Sequence, residues 1–127
     1  MKFAEECGID IPDLRLLDVG GRDVLLVKSF DRVPVSGGFA RIAYLSALSL
    51  CRMSETAHEA FSYETVADHD VRWGVSDVSS IFKRMAFNFL CRNTDDHPRN
   101  HGFLVRGTSI FLALAFDIVS TTSVHGV

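Results

Sequence analysis

The stretch Asn93-Thr94-Asp95-Asp96-His97-Pro98-Arg99-Asn100-His101-Gly102 places the strongest constraint on what this chain can fold into. Its ten residues carry two carboxylates, two imidazoles, two carboxamides and a guanidinium, with almost nothing apolar among them. Pro98 opposes a continuous helix through the middle. Strongly apolar sequence lies on either side. The segment therefore reads as a polar loop slung between two buried elements, where a scaffold presents chemistry.

Upstream, Val78, Ile81, Phe82, Met85, Ala86, Phe89 and Leu90 recur at spacings of three and four. They predict a helix of about four turns with a wide apolar stripe, ending near Arg92. Ser76 is its expected N-cap, with Asp77 favourable in the first turn. Downstream, Phe103-Leu104-Val105 and Ile110-Phe111-Leu112-Ala113 flank Gly107-Thr108-Ser109 and predict a hairpin. Asp117 follows between Phe116 and Ile118, and a lone carboxylate in that setting needs a partner or a metal.

The first part of the chain is less regular. Met1 to Cys7 reads as a short helix closed by Gly8. Leu14 to Val19 and Val24 to Lys28 are expected strands joined through Gly20-Gly21-Arg22-Asp23. The unbroken apolar run of the second is consistent with burial on both faces. Val33-Pro34-Val35-Ser36-Gly37-Gly38 reads as loop. Phe39, Ile42, Ala43, Leu45, Leu48 and Leu50 then predict a helix through Cys51. Met53 to Glu59 is a polar connection, and a short helix is expected after Ser62, closed by Trp73-Gly74.

At 127 residues and 47% hydrophobic content, with ten Phe, the chain is one domain with a real core. A net charge of −3 and no run of basic residues argue against direct nucleic-acid binding. Cys7, Cys51 and Cys91 are odd in number and lack C-x-x-C spacing, so reduced thiols buried as small apolar residues are expected. No leader pattern and no apolar stretch of about 18 residues is present, so no membrane association is expected and a cytoplasmic location is the default.

Phosphoryl transfer needs a carboxylate to orient the acceptor hydroxyl and hard oxygen ligands for a divalent cation. Asp95 as base, Asn100 five residues on as a ligand, and Asp117 as a second ligand beyond a hairpin fit that order. Two other readings stay open at this level. Asp96 and its neighbours are ordinary turn-capping residues. His97 and His101, with Asp95 and Asp96, are also a donor set for a metal-dependent phosphohydrolase, although Pro98 counts against a helical H-x-x-x-H face. His58, His69 and His125 lie in polar surroundings and read as surface residues.

Asn93-Thr94-Asp95-Asp96-His97-x-x-Asn100-His101-Gly102-Phe103-Leu104, followed by Ala115-Phe116-Asp117-Ile118, resembles the catalytic core of the HipA-like serine/threonine kinases. These are the toxin halves of bacterial toxin–antitoxin modules. Val27-Lys28-Ser29-Phe30-Asp31-Arg32 is similar to the segment at which that family holds adenine, and Arg41 to Ala47 resembles the helix that follows it in one branch.

The resemblance implies an α/β fold of the α+β kind, protein-kinase-like, mainly the helical large lobe plus the hinge. Residues 1–32 would be the end of the small lobe and the hinge, and 33–127 the large-lobe part with catalytic loop and metal-binding Asp. Asp95 would be the general base and His97 would support the loop. Asn100 and Asp117 would hold magnesium. Lys28, Ser29 and Phe30 would offer backbone groups to the adenine of ATP, with Asp31 near the ribose and Arg32 either beside it or a structural ion-pair partner.

The implied partners are a protein Ser or Thr substrate and a small HipB-like DNA-binding antitoxin, which would itself make the DNA contact. The family's Gly-rich phosphate segment and strand lysine are expected upstream of Met1, and its helical C-terminal part beyond Val127. On that expectation these residues are the centre of a kinase domain, incomplete as an isolated chain, or a catalytically inactive remnant that binds another protein.

Overall fold

Gly20 and Gly21 turn the chain with φ of 63° and 78°, a left-handed pair that glycine adopts without strain. They join β1 (Leu14–Asp18) to β2 (Asp23–Val27) in an antiparallel hairpin that pairs Leu14 with Val27 and Asp18 with Asp23. In the computed structural model, which describes residues 1–54, 62–73 and 78–119, this hairpin follows a short helix, α1 (Lys2–Glu6). The expected burial of β2 on both faces does not hold, since all five of its residues are exposed. The hairpin is a sheet of two strands, and among the described residues no layer covers either face.

The segment read as loop and then helix is instead largely strand. β3 (Arg32–Val35) and β4 (Gly38–Arg41) form a second hairpin, with Pro34 opposite Phe39. Pro34 fits because a two-stranded sheet has only edge strands. β5 (Ala43–Ser46) follows, and only α2 (Ala47–Leu50) is helical, capped by Ser46, whose Oγ accepts from the Ser49 amide. The apolar positions from Phe39 to Leu45 satisfy strand alternation as well as helical spacing. A long-range partner decides between them.

That partner is the expected hairpin at the end of the chain. β6 (Gly102–Arg106) pairs with β5 on one side and with β7 (Ser109–Leu112) on the other, with Leu45 opposite Phe103 and Phe103 opposite Leu112. Phe103 is wholly buried there with Ala47, Leu50, Val66 and Ile81. Val66 and Ile81 come from α3 (Tyr63–Arg72) and α4 (Val78–Leu90), the two helices read from periodicity. Ser62 caps α3 by accepting from the Thr65 amide. The cap assigned to Ser76 and Asp77, the closing Gly74, and most of the polar connection lie outside the described residues.

Two smaller clusters tie the first part of the chain to this body. Ala4, Ile9, Phe87 and Ala115 bury one another, with the Phe3 and Phe87 rings 5.7 Å apart. Ile42, Leu104 and Ala113 do the same beneath Phe30 and Val33. Cys51 and Cys91 are half-buried beside these clusters, but Cys7 is exposed, against expectation, because α1 is too short to present more than Ala4 inward. The α4 stripe is wider than the core it meets. Ile81 and Phe87 are buried with Arg84 and Asn88, whereas Phe82, Phe89 and Leu90 are exposed. No helix of the described residues is long and apolar enough to cross a membrane.

Candidate active site

Where α4 ends, Arg92 takes a left-handed φ of 53° and the Asn93 amide donates back to the Asn88 carbonyl at 2.9 Å. The polar loop starts there. The Asn93 side chain accepts from the Asp95 amide at 3.2 Å, and the Asn100 amide donates to the His97 carbonyl at 2.9 Å, turning the chain around Pro98. The Ala47 and Leu48 amides donate to the His101 and Pro98 carbonyls at 2.7 and 3.2 Å. The start of α2 thus grips the far side of the loop, and β5–β6 pairing grips its end.

The loop has two layers. In the outer one, Asn100 Nδ2 donates to the Asp95 carbonyl at 3.0 Å, and the Asp95 carboxylate is exposed. His97 Nε2 lies 3.6 Å from Asp95 Oδ1, an ion-pair distance rather than a hydrogen bond. In the inner one, His101 Nε2 bonds Asp96 Oδ1 at 2.8 Å, and the Tyr63 hydroxyl donates to Asp96 Oδ2 at 2.8 Å. Asn88 Nδ2 donates to the Tyr63 oxygen at 2.8 Å, and the Tyr63 and His101 rings meet edge-on at 5.1 Å.

Burial would raise the Asp96 carboxyl, but hydrogen bonds from His101, Tyr63 and Asn88 outweigh it and hold it below the ordinary carboxylate range. Tyr63 is pushed far above a normal phenol by burial and by its bond to the Asp96 carboxylate. Asp96 is therefore an ionised acceptor, and His101 Nε2 donates to it.

A cleft of about 500 Å³ opens beside the loop, lined by Val27, Lys28, Ser29, Phe30, Asp31, Tyr44, Phe116 and Asp117. That is the size of a small-molecule site. Three aromatic rings form its wall: Phe30 lies 5.6 Å from Phe116 and 6.4 Å from Tyr44, and Tyr44 lies 6.5 Å from Phe116. Asp117 also lines a second cavity, of about 10 Å³, together with Asn93, Asp96, Asn100, His101 and the buried Arg84. A space of that size holds a single water-sized occupant.

The structure brings some of the residues singled out in the sequence together, while Asp95 and His97 lie side by side and line neither space. Lys28, Ser29, Phe30, Asp31 and Asp117 share the cleft, Asn100 and Asp117 share the small cavity, and Asn100 is bonded to Asp95. Asp117 has a left-handed φ of 55°. The Lys28 amine pairs with the Asp13 carboxylate at 2.7 Å, and the Lys28 amide donates to the Asp13 carbonyl at 3.0 Å. Arg32 pairs with Asp31. Nothing in the sequence marks Tyr44 and Phe116 as cleft wall, or joins Tyr63 and Asn88 to Asp96 and His101. Tyr44 was hidden in a segment read as helix, and Tyr63 lies 33 residues from Asp96 in sequence.

The donors suit a hard cation. Asn100 commits Nδ2 to the loop, so its Oδ1 and the Asp117 carboxylate are the oxygens that would hold such an ion. The hydrolase constellation is not assembled. Among the described residues no three His, Cys, Asp or Glu side chains group to hold a metal, and His101 is buried against Asp96.

The profile of the HipA-like C-terminal domain matches residues 1–126. This chain belongs to that family. Among solved structures, a chain of the Shewanella oneidensis MR-1 complex of HipA, HipB and operator DNA superposes with a TM-score of 0.84 at 18% identity. The match covers 94% of this chain and 33% of that one, so the chain spans about a third of the HipA-type chain it matches. It shows the kinase-like HipA fold, with the helices and small antiparallel sheets described above. A search of curated proteins returned no match.

Proposed function

We propose that these residues form the nucleotide- and magnesium-binding core of a HipA-like serine/threonine kinase. One observation carries the reading: Asp117 lines both the aromatic-walled cleft and the small cavity that holds Asn100. A nucleotide in the first and a cation in the second would meet at that residue. The backbone of Lys28 to Phe30 would face the base of ATP, and Asp31 the ribose. Asn100 Oδ1 and the Asp117 carboxylate would hold Mg²⁺. When bound, that ion neutralises phosphate charge and orients the phosphates.

The work left to the protein is positioning and proton transfer. Asp95, exposed at the loop surface, would accept the proton of a protein Ser or Thr hydroxyl as that oxygen bonds to the γ-phosphorus and the γ-phosphorus–oxygen bond to departing ADP breaks. His97, 3.6 Å away, would bias the orientation of the Asp95 carboxylate. A HipB-like antitoxin is the proposed partner, since the solved neighbour is complexed with HipB and its operator DNA, and the proposed location is the cytoplasm.

Calorimetric titration with ATP, with and without magnesium, tests the reading on this chain and on Asp117→Asn. Magnesium should tighten ATP binding in the parent and not in the variant. No binding by a folded sample would overturn the nucleotide assignment and leave a module that binds another protein.

A further inference from the structure

The inner layer of the loop is built to a higher standard than a turn requires. Asp95 and Asn100 are joined through Asn100 Nδ2 and the Asp95 carbonyl, and the next residue on each side, Asp96 and His101, is joined through side chains at 2.8 Å. Two contacts at the same sequence separation therefore close the loop, an outer one from exposed Asp95 to half-buried Asn100 and an inner one from half-buried Asp96 to buried His101. The inner contact is tied through the Tyr63 hydroxyl to α3 and through Asn88 to α4. Every bond in that chain is near 2.8 Å. A solvent-exposed capping carboxylate would need none of these partners.

We infer that Asp96, held by Tyr63 and His101, is the positioning residue that keeps Asp95 and Asn100 at the separation the site requires. The inference rests on the kinase reading for the roles of those two residues. It adds that the side chains setting their geometry come from two helices outside the loop. Neither Asp96 nor Tyr63 touches the aromatic-walled cleft, whereas Asp96 and His101 border the small cavity shared by Asn100 and Asp117, and Tyr63 lines neither. Loss of the clamp should therefore impair cation-dependent binding and spare the cleft itself. A residue acting only on overall stability would not separate the two.

Tyr63→Phe keeps the ring against His101 and removes only the hydroxyl that bonds Asp96 and Asn88. ATP affinity without magnesium should stay at the parent value. The factor by which magnesium tightens ATP should fall about tenfold, as for loss of an outer-shell partner of a metal ligand. His101→Gln retains a donor toward Asp96 and should keep most of the magnesium effect, whereas His101→Ala should lose it. Parallel loss of both affinities in Tyr63→Phe, or no change in either, would overturn the inference. A parent chain whose ATP binding ignores magnesium would overturn the kinase reading and this inference together. A normal parent with an unaltered Tyr63→Phe would overturn the inference alone.

Discussion

The Tyr44 ring occupies the space into which a side chain at residue 102 would project: a Cβ on Gly102 would come within 2.4 Å of Tyr44 Cε2 and 2.9 Å of its hydroxyl oxygen. Gly102 opens β6 immediately after the polar loop, and Tyr44 forms part of the cleft wall, its hydroxyl donating to the Arg99 carbonyl at 3.4 Å. Loop, sheet and cleft are packed against one another at this contact.

Gly102→Ala should therefore force Tyr44 outward and away from Phe30 and Phe116. Overpacking of this kind costs about 1–3 kcal/mol. Chemical denaturation should show that loss, and it should shrink when Tyr44→Ala is combined with Gly102→Ala. Additive effects of the two substitutions would mean that the ring is not the obstacle.

Asp117 separates a backbone role from a ligand role. Its φ of 55° is unfavourable for most residues, and glycine there should relieve about 1 kcal/mol of strain. Asp117→Gly is thus expected to fold as stably as the parent, or more so, while losing the magnesium dependence of ATP binding. Thermal unfolding and titration on the same sample would check both halves. A less stable Asp117→Gly would show that the carboxylate contributes to the fold itself.

Lys28 and Phe30 should behave differently although both line the cleft. The Lys28 amine is directed to Asp13, in an exposed pair of a kind that contributes little. Lys28→Ala should leave ATP affinity within about twofold of the parent, because its amine is held by the exposed Asp13 carboxylate. Phe30→Ala removes a ring that meets Phe116 at 5.6 Å and packs on the Ile42 cluster, so it should lower both affinity and stability. Equal losses from the two variants would place the lysine side chain in the site.

How much of this was legible in the sequence depends on the range of the deciding contact. α3, α4, the last hairpin and the polar loop announce themselves through local signals: Ser62 as a cap, three-and-four periodicity, and turn residues at Gly107. Phe39 to Leu45 carries no such signal, because its spacing suits either state until β6, about 60 residues on, supplies hydrogen bonds to β5. The inner layer of the loop was illegible for the same reason. Asp96 looked like a capping residue because Tyr63 and Asn88, which give it a purpose, are brought to it only by helix packing.

The β1–β2 hairpin shows the opposite failure, since its local reading was right and its surroundings were not. Leu16 and Leu25 are cross-strand partners on one face, Leu17 and Val24 on the other, and all four are exposed. Apolar strands with free edges associate with further strands. The chain should therefore self-associate as concentration rises, and Leu25→Lys should suppress it with little loss of stability, because the residue it replaces is already 52% exposed. Sedimentation across a concentration series would check this, and an unchanged association in Leu25→Lys would move the contact to another exposed surface, such as Phe82 and Phe89 on α4.

The two tyrosines report the integrity of the site through pH. Burial raises Tyr44, and burial together with the Asp96 carboxylate raises Tyr63 much further. Both phenols are thus more easily ionised in the unfolded chain, where the ordinary value is about 10. A raised folded-state value contributes stability that is complete below that pH and is lost as pH climbs toward the folded value. Alkaline titration should accordingly show the Tyr63 phenol protonated until the chain unfolds, with Tyr44 ionising above its ordinary value. Tyr63→Phe should flatten the alkaline loss of stability, leaving the smaller contribution of Tyr44. A normal, reversible tyrosinate titration in the folded parent would mean that the Tyr63–Asp96 bond does not persist in solution.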